Sequence, residues 1–273
     1  MGKQSIITLL TDFGWSDPYV AVMKGAIFTI LPDAHLVDIG HDIPPGDVLG
    51  GAYALGQALP YFPPETVHCV VIDPTVGSQR RVLAARYAGQ FVVFPDNGVI
   101  TIVNQDQPLE QIVLVQDERY FLSPLVSTTF HGRDIIAPVA ARIASGLPLS
   151  RLGPPPDTME LLELPGMELG ADGVVSGKIV HVDRFGNLIT NLPEAFLAGT
   201  FGSLSACQVT CAGRGVGPIL RTYSSVPPGA PLALINSANL LEIAVNAGSA
   251  TVDLGADVGD DVQVRRAEPG SQE

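Results

Sequence analysis

Short apolar runs alternate with longer amphipathic stretches through the first half of the chain. Residues 5–10 (SIITLL), 35–39 (HLVDI) and 67–72 (VHCVVI) are too short for helices and are closed by polar, Gly or Pro residues, as buried strands are. After the first of them, Pro18 suits a first helical position, and VAVMKGAIFTIL continues as a mostly apolar helix ending near Pro32. DVLGGAYALGQAL reads as a second helix whose small residues allow close packing on a sheet. FVVFPDNGVIT carries a strong turn at residues 95–98 between apolar runs, and IIAPVAARIASGL predicts a further helix closed by Gly146. Strands alternating with helices predict an α/β N-terminal domain with a mostly parallel, doubly wound sheet.

The texture then changes. Residues 148–172 are rich in Pro, Gly and acidic residues, a composition that suits a linker or an extended crossover. Beyond it, GVVSGKIVHVD, NLITNL, ACQVTC, PLALIN, LLEIAVN and DVQVRR are short strand-like runs separated by glycine and proline turns, which predicts a smaller all-β domain, a barrel or a sandwich. The expected organisation is an α/β domain over 1–160, a linker over 161–172, a β domain over 173–267 and a frayed tail over 268–273.

With 273 residues and 46% hydrophobic content the chain can bury a sizeable core. A net charge of −13 disfavours a general grip on phosphate backbones, so no nucleic-acid partner is expected and a small molecule fits better. Mean hydropathy is positive, yet Lys24, Gly and Pro break every apolar segment well short of the roughly 18 residues that span a bilayer. No signal peptide is evident, and Ile6 breaks the myristoylation pattern, so a soluble cytoplasmic protein without a membrane partner is expected. Cys207 and Cys211 have no second pair to complete a zinc site, and the three cysteines are expected to be reduced and buried.

Two of the predicted strands end on a carboxylate beside a glycine-bearing turn: Asp12 in TDFG and Asp73 in VIDPTVGSQRR, where Arg80 follows seven residues later. In open α/β sheets ligands collect beyond the carboxyl ends of such strands, although an Asp before Pro also caps turns. STTFHGRD sets His131, Arg133 and Asp134 in a polar loop ahead of a helix. Asp73, Arg80 and His131 together form a water-activating set: the carboxylate orients or accepts from water, the imidazole relays a proton and the guanidinium keeps the carboxylate ionised. Asp12, Asp73, His131 and Asp134 also admit a metal-hydrolase reading, disfavoured by the lack of an H-x-x-x-H pair. In the second half, Asp183, Phe185 and Asn187 surround a glycine: Asn offers the donor and acceptor an adenine edge requires and Phe a face for stacking, or the segment is a plain hairpin. Asn236 and Ser237 precede a strand that carries Glu242 and ends at Val245, Asn246 and Ala247, whose backbone amides can read a base edge.

TDFG with Asp17 just beyond it, HDIPPGDV, VIDPTVGSQRR, PDNGV, TFHGRD, HVDRFGNLITN and INSANLLEIAVNAG, in this order, resemble the S-adenosyl-L-methionine (SAM) hydroxide adenosyltransferase family, relatives of the SAM-dependent fluorinase and chlorinase. The resemblance implies cleavage of SAM by displacement at the ribose C5′, with hydroxide giving adenosine and methionine. It implies Asp73, Arg80 and His131 as the catalytic set and Asp12 as the carboxylate on the ribose hydroxyls. Asp17, Asp183 and Ser237 fall to the methionine end, and Phe185, Asn187 and the backbone of Val245, Asn246 and Ala247 to adenine. Glu242, on the strand between these segments, joins the substrate-binding candidates. SAM is then a substrate and no cofactor is expected. The family's site lies between the N-terminal domain of one subunit and the C-terminal domain of the next, so a homotrimer is expected. Thr75 stands where similar proteins usually carry Gly, which denies that position free access to positive φ. Ala238 and Asn239 likewise replace bulkier or Gly residues.

Halide arrives anionic and needs no base, and the halogenases of the family resemble this chain with Tyr in place of Asp73; water must lose a proton. A carboxylate about 4 Å from chloride opposes it by about 4 kcal/mol at an effective dielectric near 20, roughly three decades of rate. Water is the expected nucleophile. The alternatives are a chlorinase-like halogenase and a non-catalytic SAM or adenosine sensor.

Overall fold

Contacts divide the chain into two units, Met1–Leu162 and Glu163–Glu273. The computed structural model describes residues 5–267, and the tail expected over 268–273 lies outside the described residues.

The first unit is built on six strands: β1 (Ile6–Thr11), β2 (His35–Gly40), β3 (Val67–Val71), β4 (Val82–Tyr87), β5 (Gln90–Pro95) and β6 (Leu109–Leu114), in the order β2-β1-β3-β5-β4-β6. The ladders β1/β2, β1/β3 and β3/β5 are parallel, whereas β4 pairs antiparallel with both β5 and β6. Side-chain alternation divides the core. Ile7, Leu9, Val67, Cys69 and Val71 pack on one face with Met23 and Ile27 of α1 (Tyr19–Ile30) and Ile143 of α4 (Ala137–Ala144). Leu10, Val70 and Phe94 pack on the other with Leu55 of α2 (Val48–Ala58) and Val103 of α3 (Thr101–Asp106). The sheet is thus covered on both sides, with an antiparallel edge on a parallel centre. Asp47 caps α2 by accepting the Gly50 N–H at 2.9 Å. Residues beyond Pro148 stay tied to this unit: the Glu160 N–H meets Asp96 and the Leu162 N–H meets Thr101, both at 2.8 Å.

In the second unit, β7 (Glu168–Leu169), β8 (Val175–Val182), β9 (Leu188–Pro193), β10 (Cys207–Cys211), β11 (Arg214–Leu220), β12 (Pro231–Ile235), β13 (Leu240–Val245) and β14 (Asp261–Arg266) form a sheet ordered β14-β10-β11-β12-β13-β9-β8-β7. An antiparallel β14/β8 ladder joins its ends, leaving a closed seven-stranded barrel with β7 appended. Leu188, Val209, Leu241, Ile243 and Val264 fill it, with Leu197 of α5 (Glu194–Phe201) and Leu254 of α6 (Ala250–Leu254) packed in. Cys69, Cys207 and Cys211 are free and buried.

Candidate active site

β1 and β3 are parallel neighbours, so Asp12 and Asp73, which follow them, leave the same edge of the sheet side by side. Arg80 returns from the Asp73 loop at the entry to β4. Its Nε donates to both Asp73 oxygens at 3.0 and 2.8 Å, and its Nη2 donates to Asp73 Oδ2. The same Nη2 stands 2.8 Å from His131 Nδ1. Both members of the ion pair are nearly dry, with side chains 7% and 3% exposed, so the bidentate geometry acts where charge-assisted bonds are strong. A guanidinium has no acceptor. Nδ1 of His131 therefore accepts, and the neutral ring carries its proton on Nε2. Burial, and next the Arg80 charge, lower the His131 pKa, against smaller raising effects of Asp73 and Asp134.

The loops that carry this triad are fixed by two glycines and one buried carboxylate. Gly77 takes φ +80°, and a Cβ there would lie 2.2 Å from the Thr128 carbonyl oxygen, so only glycine lets the Asp73 loop rest on the His131 loop. With Gly77 supplying the turn, Thr75 avoids positive φ, and its hydroxyl points to Asp73 Oδ1 at 3.4 Å. His131 begins a π-helical turn, Gly132–Ile136, leading into α4. Gly132 lets that turn approach Val71 and Met23. Asp134 accepts the Ser127 N–H at 2.7 Å and two Arg133 donors at 2.6 and 2.9 Å, which holds the loop ahead of His131. The oxygens of Asp73 and Asp134 are thus taken by arginines, and among the described residues no group of three or more His, Cys, Asp or Glu is arranged to hold a metal ion.

Asp12 accepts the Gly46 N–H at 2.8 Å. Its pKa is raised, first by burial and further by Asp73, against the lowering effect of the Gly46 bond. Here the structure adds residues that the sequence reading did not single out. His41 Nδ1 lies 2.8 Å from Thr11 Oγ1, its Nε2 3.0 Å from Asp38, and its carbonyl accepts the Gly14 N–H at 2.7 Å. Lys24 completes the chain on Asp38 at 2.6 Å. This sews the TDFG turn to the HDIPPG turn and so fixes Asp12. The signal was the pair of polar turns, TDFG and HDIPPG, that close two apolar runs. Asp17 is exposed further along the TDFG loop, before α1.

In the second unit the turn between β8 and β9 is organised by Asp183, whose Oδ1 accepts the N–H groups of Phe185 (2.8 Å) and Asn187 (2.9 Å) while Oδ2 accepts Asn187 Nδ2 (2.9 Å). The Asn187 amide is thereby oriented with its oxygen left to accept a donor. Phe185 presents a ring 76% exposed. A Cβ on Gly186 would meet Ser249 Oγ at 2.1 Å, and the Thr251 N–H donates to the Gly186 carbonyl, so this turn packs on the segment that follows Val245, Asn246 and Ala247. These adenine candidates therefore converge. Asn236 accepts the N–H groups of Ala238 and Leu240, shaping a turn in which Asn239 takes φ +59°, a conformation Asn tolerates, and Ser237 is exposed. Glu242 on β13 is 4% exposed and accepts from Tyr223 Oη at 2.7 Å. Burial, and more weakly the nearby Asp183 charge, raise its pKa. Its carboxylate is held between Tyr223 and the Asn236 turn. Tyr223 is a further site-region residue that the sequence reading missed, because it lies in a polar stretch with no motif of its own.

Models of the SAM hydroxide adenosyltransferase N-terminal domain and C-terminal domain match residues 7–153 and 177–263. An (R)-S-adenosyl-L-methionine hydrolase of Thermus thermophilus is 41% identical over 91% of this chain and 95% of its own. One from Salinispora arenicola is 35% identical over 97% and 99%, while a fluorinase of Nocardia brasiliensis is 28% identical over 97% and 98%. The crystal structure of an uncharacterised conserved protein from Thermotoga maritima superposes with a TM-score of 0.90 at 35% identity, covering 95% of this chain and all of that one.

Proposed function

The chain belongs to the SAM hydroxide adenosyltransferase family, and we propose from that premise that it hydrolyses SAM to adenosine and L-methionine by displacement at C5′. The observation that carries the reading is the nearly dry Asp73–Arg80 ion pair with His131 joined to it, beside Asp12. A water held against Asp73 is oriented for attack and passes one proton to that carboxylate as the C5′–O bond forms. The leaving group is a neutral thioether departing from a cationic sulfonium, so it needs no general acid, and no cofactor is required to polarise the breaking bond. Arg80 commits Nε and Nη2 to Asp73 and His131, which limits what it offers an incoming halide. The remaining contribution of the protein is positioning and desolvation.

Asp12 holds the ribose hydroxyls, Phe185, Asn187 and the Val245 to Ala247 backbone hold adenine, and Asp17, Asp183 and Ser237 serve the methionine end. In this reading the enzyme works in the cytoplasm as a homotrimer, with the first unit of one subunit completed by the second unit of the next. The curated relatives at 35–42% identity are named for the (R) epimer at sulfur. A site that fixes ribose and amino acid at once distinguishes the two epimers, so (R)-SAM is the proposed substrate.

The test is incubation of the purified protein with (R)- or (S)-SAM in buffers containing chloride, bromide or neither, with products identified by mass spectrometry. Adenosine and methionine, independent of halide and confined to the (R) epimer, are expected. A 5′-halo-5′-deoxyadenosine would overturn the choice of water, and SAM bound without product would make the protein a sensor. Asn187→Ala is expected to weaken adenosine and SAM binding about tenfold or more, because a broken hydrogen bond at a buried site costs roughly 1–3 kcal/mol. Unchanged affinities by calorimetry would remove Asn187 from the adenine site.

A further inference from the structure

Arg80 and His131 face a second space besides the edge they share with Asp73. A cavity of about 300 Å³ has these two residues among its lining, with Val115, Phe121 and Ile135 as apolar walls and Gln116 and Glu118 at its margin. Val115 and Ile135 are 8% and 7% exposed, whereas Gln116 and Glu118 are open to solvent. The cavity therefore runs from an exposed polar margin to Arg80 and His131. Its place in the sheet is informative. Asp12 follows β1 and Asp73 follows β3, while the cavity lies at β4 and β6, on the far side of the triad from Asp12 in the order β1-β3-β5-β4-β6.

Hydrolysis of a sulfonium consumes one water and releases one proton per turnover. The C5′–O bond forms as the C5′–S bond breaks, the electron pair of that bond goes to sulfur as neutral thioether, and the water's second proton remains on the product hydroxyl. In-line displacement puts the attacking oxygen opposite the sulfur, on the side that methionine does not occupy. A substrate seated on Asp12 covers its own approach to the triad. On the reading that this chain hydrolyses SAM, we propose that the cavity at β4 and β6 is the route by which water reaches Arg80, His131 and, beyond them, Asp73, which takes the proton, with His131 at its inner end and Glu118 at its mouth. The neutral imidazole suits that position. With Nδ1 accepting from Arg80, the ring keeps its proton on Nε2, and that N–H is the donor His131 offers to a water arriving along the route.

The route is tested by closing its margin and widening its wall. Gln116→Trp, at an exposed position, is expected to lower kcat several-fold at saturating SAM without raising KM. Phe121→Ala is expected to admit a larger nucleophile: with methanol in the buffer, the fraction of 5′-O-methyladenosine relative to adenosine rises several-fold above wild type, and in Gln116→Trp it falls. Circular dichroism establishes that both variants are folded. Folded variants with wild-type kcat and wild-type methanol partition would overturn the route while leaving the hydrolase reading intact. A wild-type protein that forms no adenosine from SAM would instead overturn the hydrolase reading, and the route with it.

Discussion

Asp73→Asn is expected to lower adenosine formation from SAM by about three decades, within the range attributed to a positioned general base, while SAM affinity stays within a few-fold. The carboxylate has two tasks in this geometry. It accepts Arg80 through both oxygens, and in the proposed reaction it is the acceptor against which a water is oriented. Asparagine matches its shape and keeps one oxygen, but its NH₂ confronts an Arg80 donor and cannot take a proton. The arginine then loses part of its anchorage and His131 loses the partner that fixes it through Nδ1. Some stability is lost as well, roughly 1–3 kcal/mol for one buried bond broken, so a thermal melt must accompany the kinetics to confirm that the loss of rate is measured on folded protein. In the proposed site ribose, adenine and methionine contacts fall to other residues, which is why binding is expected to survive. A folded Asp73→Asn variant turning over at the wild-type rate would remove water activation from this residue.

The edge that carries this site was legible because its strands announce themselves. VHCVVI and SIITLL are β-rich apolar runs that lead to an Asp in a glycine-bearing turn, and in the structure β1 and β3 are parallel neighbours with those carboxylates at one edge. The antiparallel edge was not legible. Residues 82–87 mix Ala, Arg and Tyr with apolar residues, and the turn to β5 is Ala88-Gly89, both at positive φ. Hairpin turns of that geometry are signalled most clearly by Asn-Gly or Asp-Gly, and alanine gives no such cue. This omission mattered, because β4 is the strand that returns Arg80 to Asp73 and whose pairing with β6 frames the cavity behind the triad.

Long-range partners were the second blind spot. His41, Gly46 and Thr11 fix Asp12 through contacts spanning about thirty residues, and nothing local in sequence marks which turn will meet which. Thr75 illustrates the reverse case. A departure that threatened the loop on conformational grounds is absorbed because Gly77, two residues on, takes the positive φ. Glu242 shows a long-range partner of the same kind: the run LLEIAVN predicts its strand, but nothing near it in sequence marks Tyr223, whose hydroxyl its carboxylate accepts.

Arg80→Met is the substitution expected to disturb the triad most broadly. It leaves the Asp73 charge in a nearly dry site without its guanidinium, and breaking a buried ion pair by removing one partner costs about 3–5 kcal/mol. It also changes the titration of His131. In the wild-type protein burial and the Arg80 charge lower that pKa, while Asp73 and Asp134 raise it. Removing Arg80 deletes a lowering cause and keeps both raising ones, so the pKa of His131 moves up. The sign for catalysis follows. Wild-type His131 stays neutral below the pH at which an ordinary histidine protonates, so the acid limb it governs lies below that of an unperturbed imidazole. In Arg80→Met the ring is already protonated at higher pH, and the acid limb of kcat moves toward neutrality, on top of a reduced plateau. Nitrogen-15 resonances of the imidazole supply the check: Nδ1 unprotonated and Nε2 protonated in the neutral wild-type ring, with the titration midpoint displaced upward in the variant. A midpoint that does not move, or moves down, would show that Arg80 does not set the proton affinity of His131, and a wild-type ring protonated at Nδ1 would overturn its acceptor role toward Arg80.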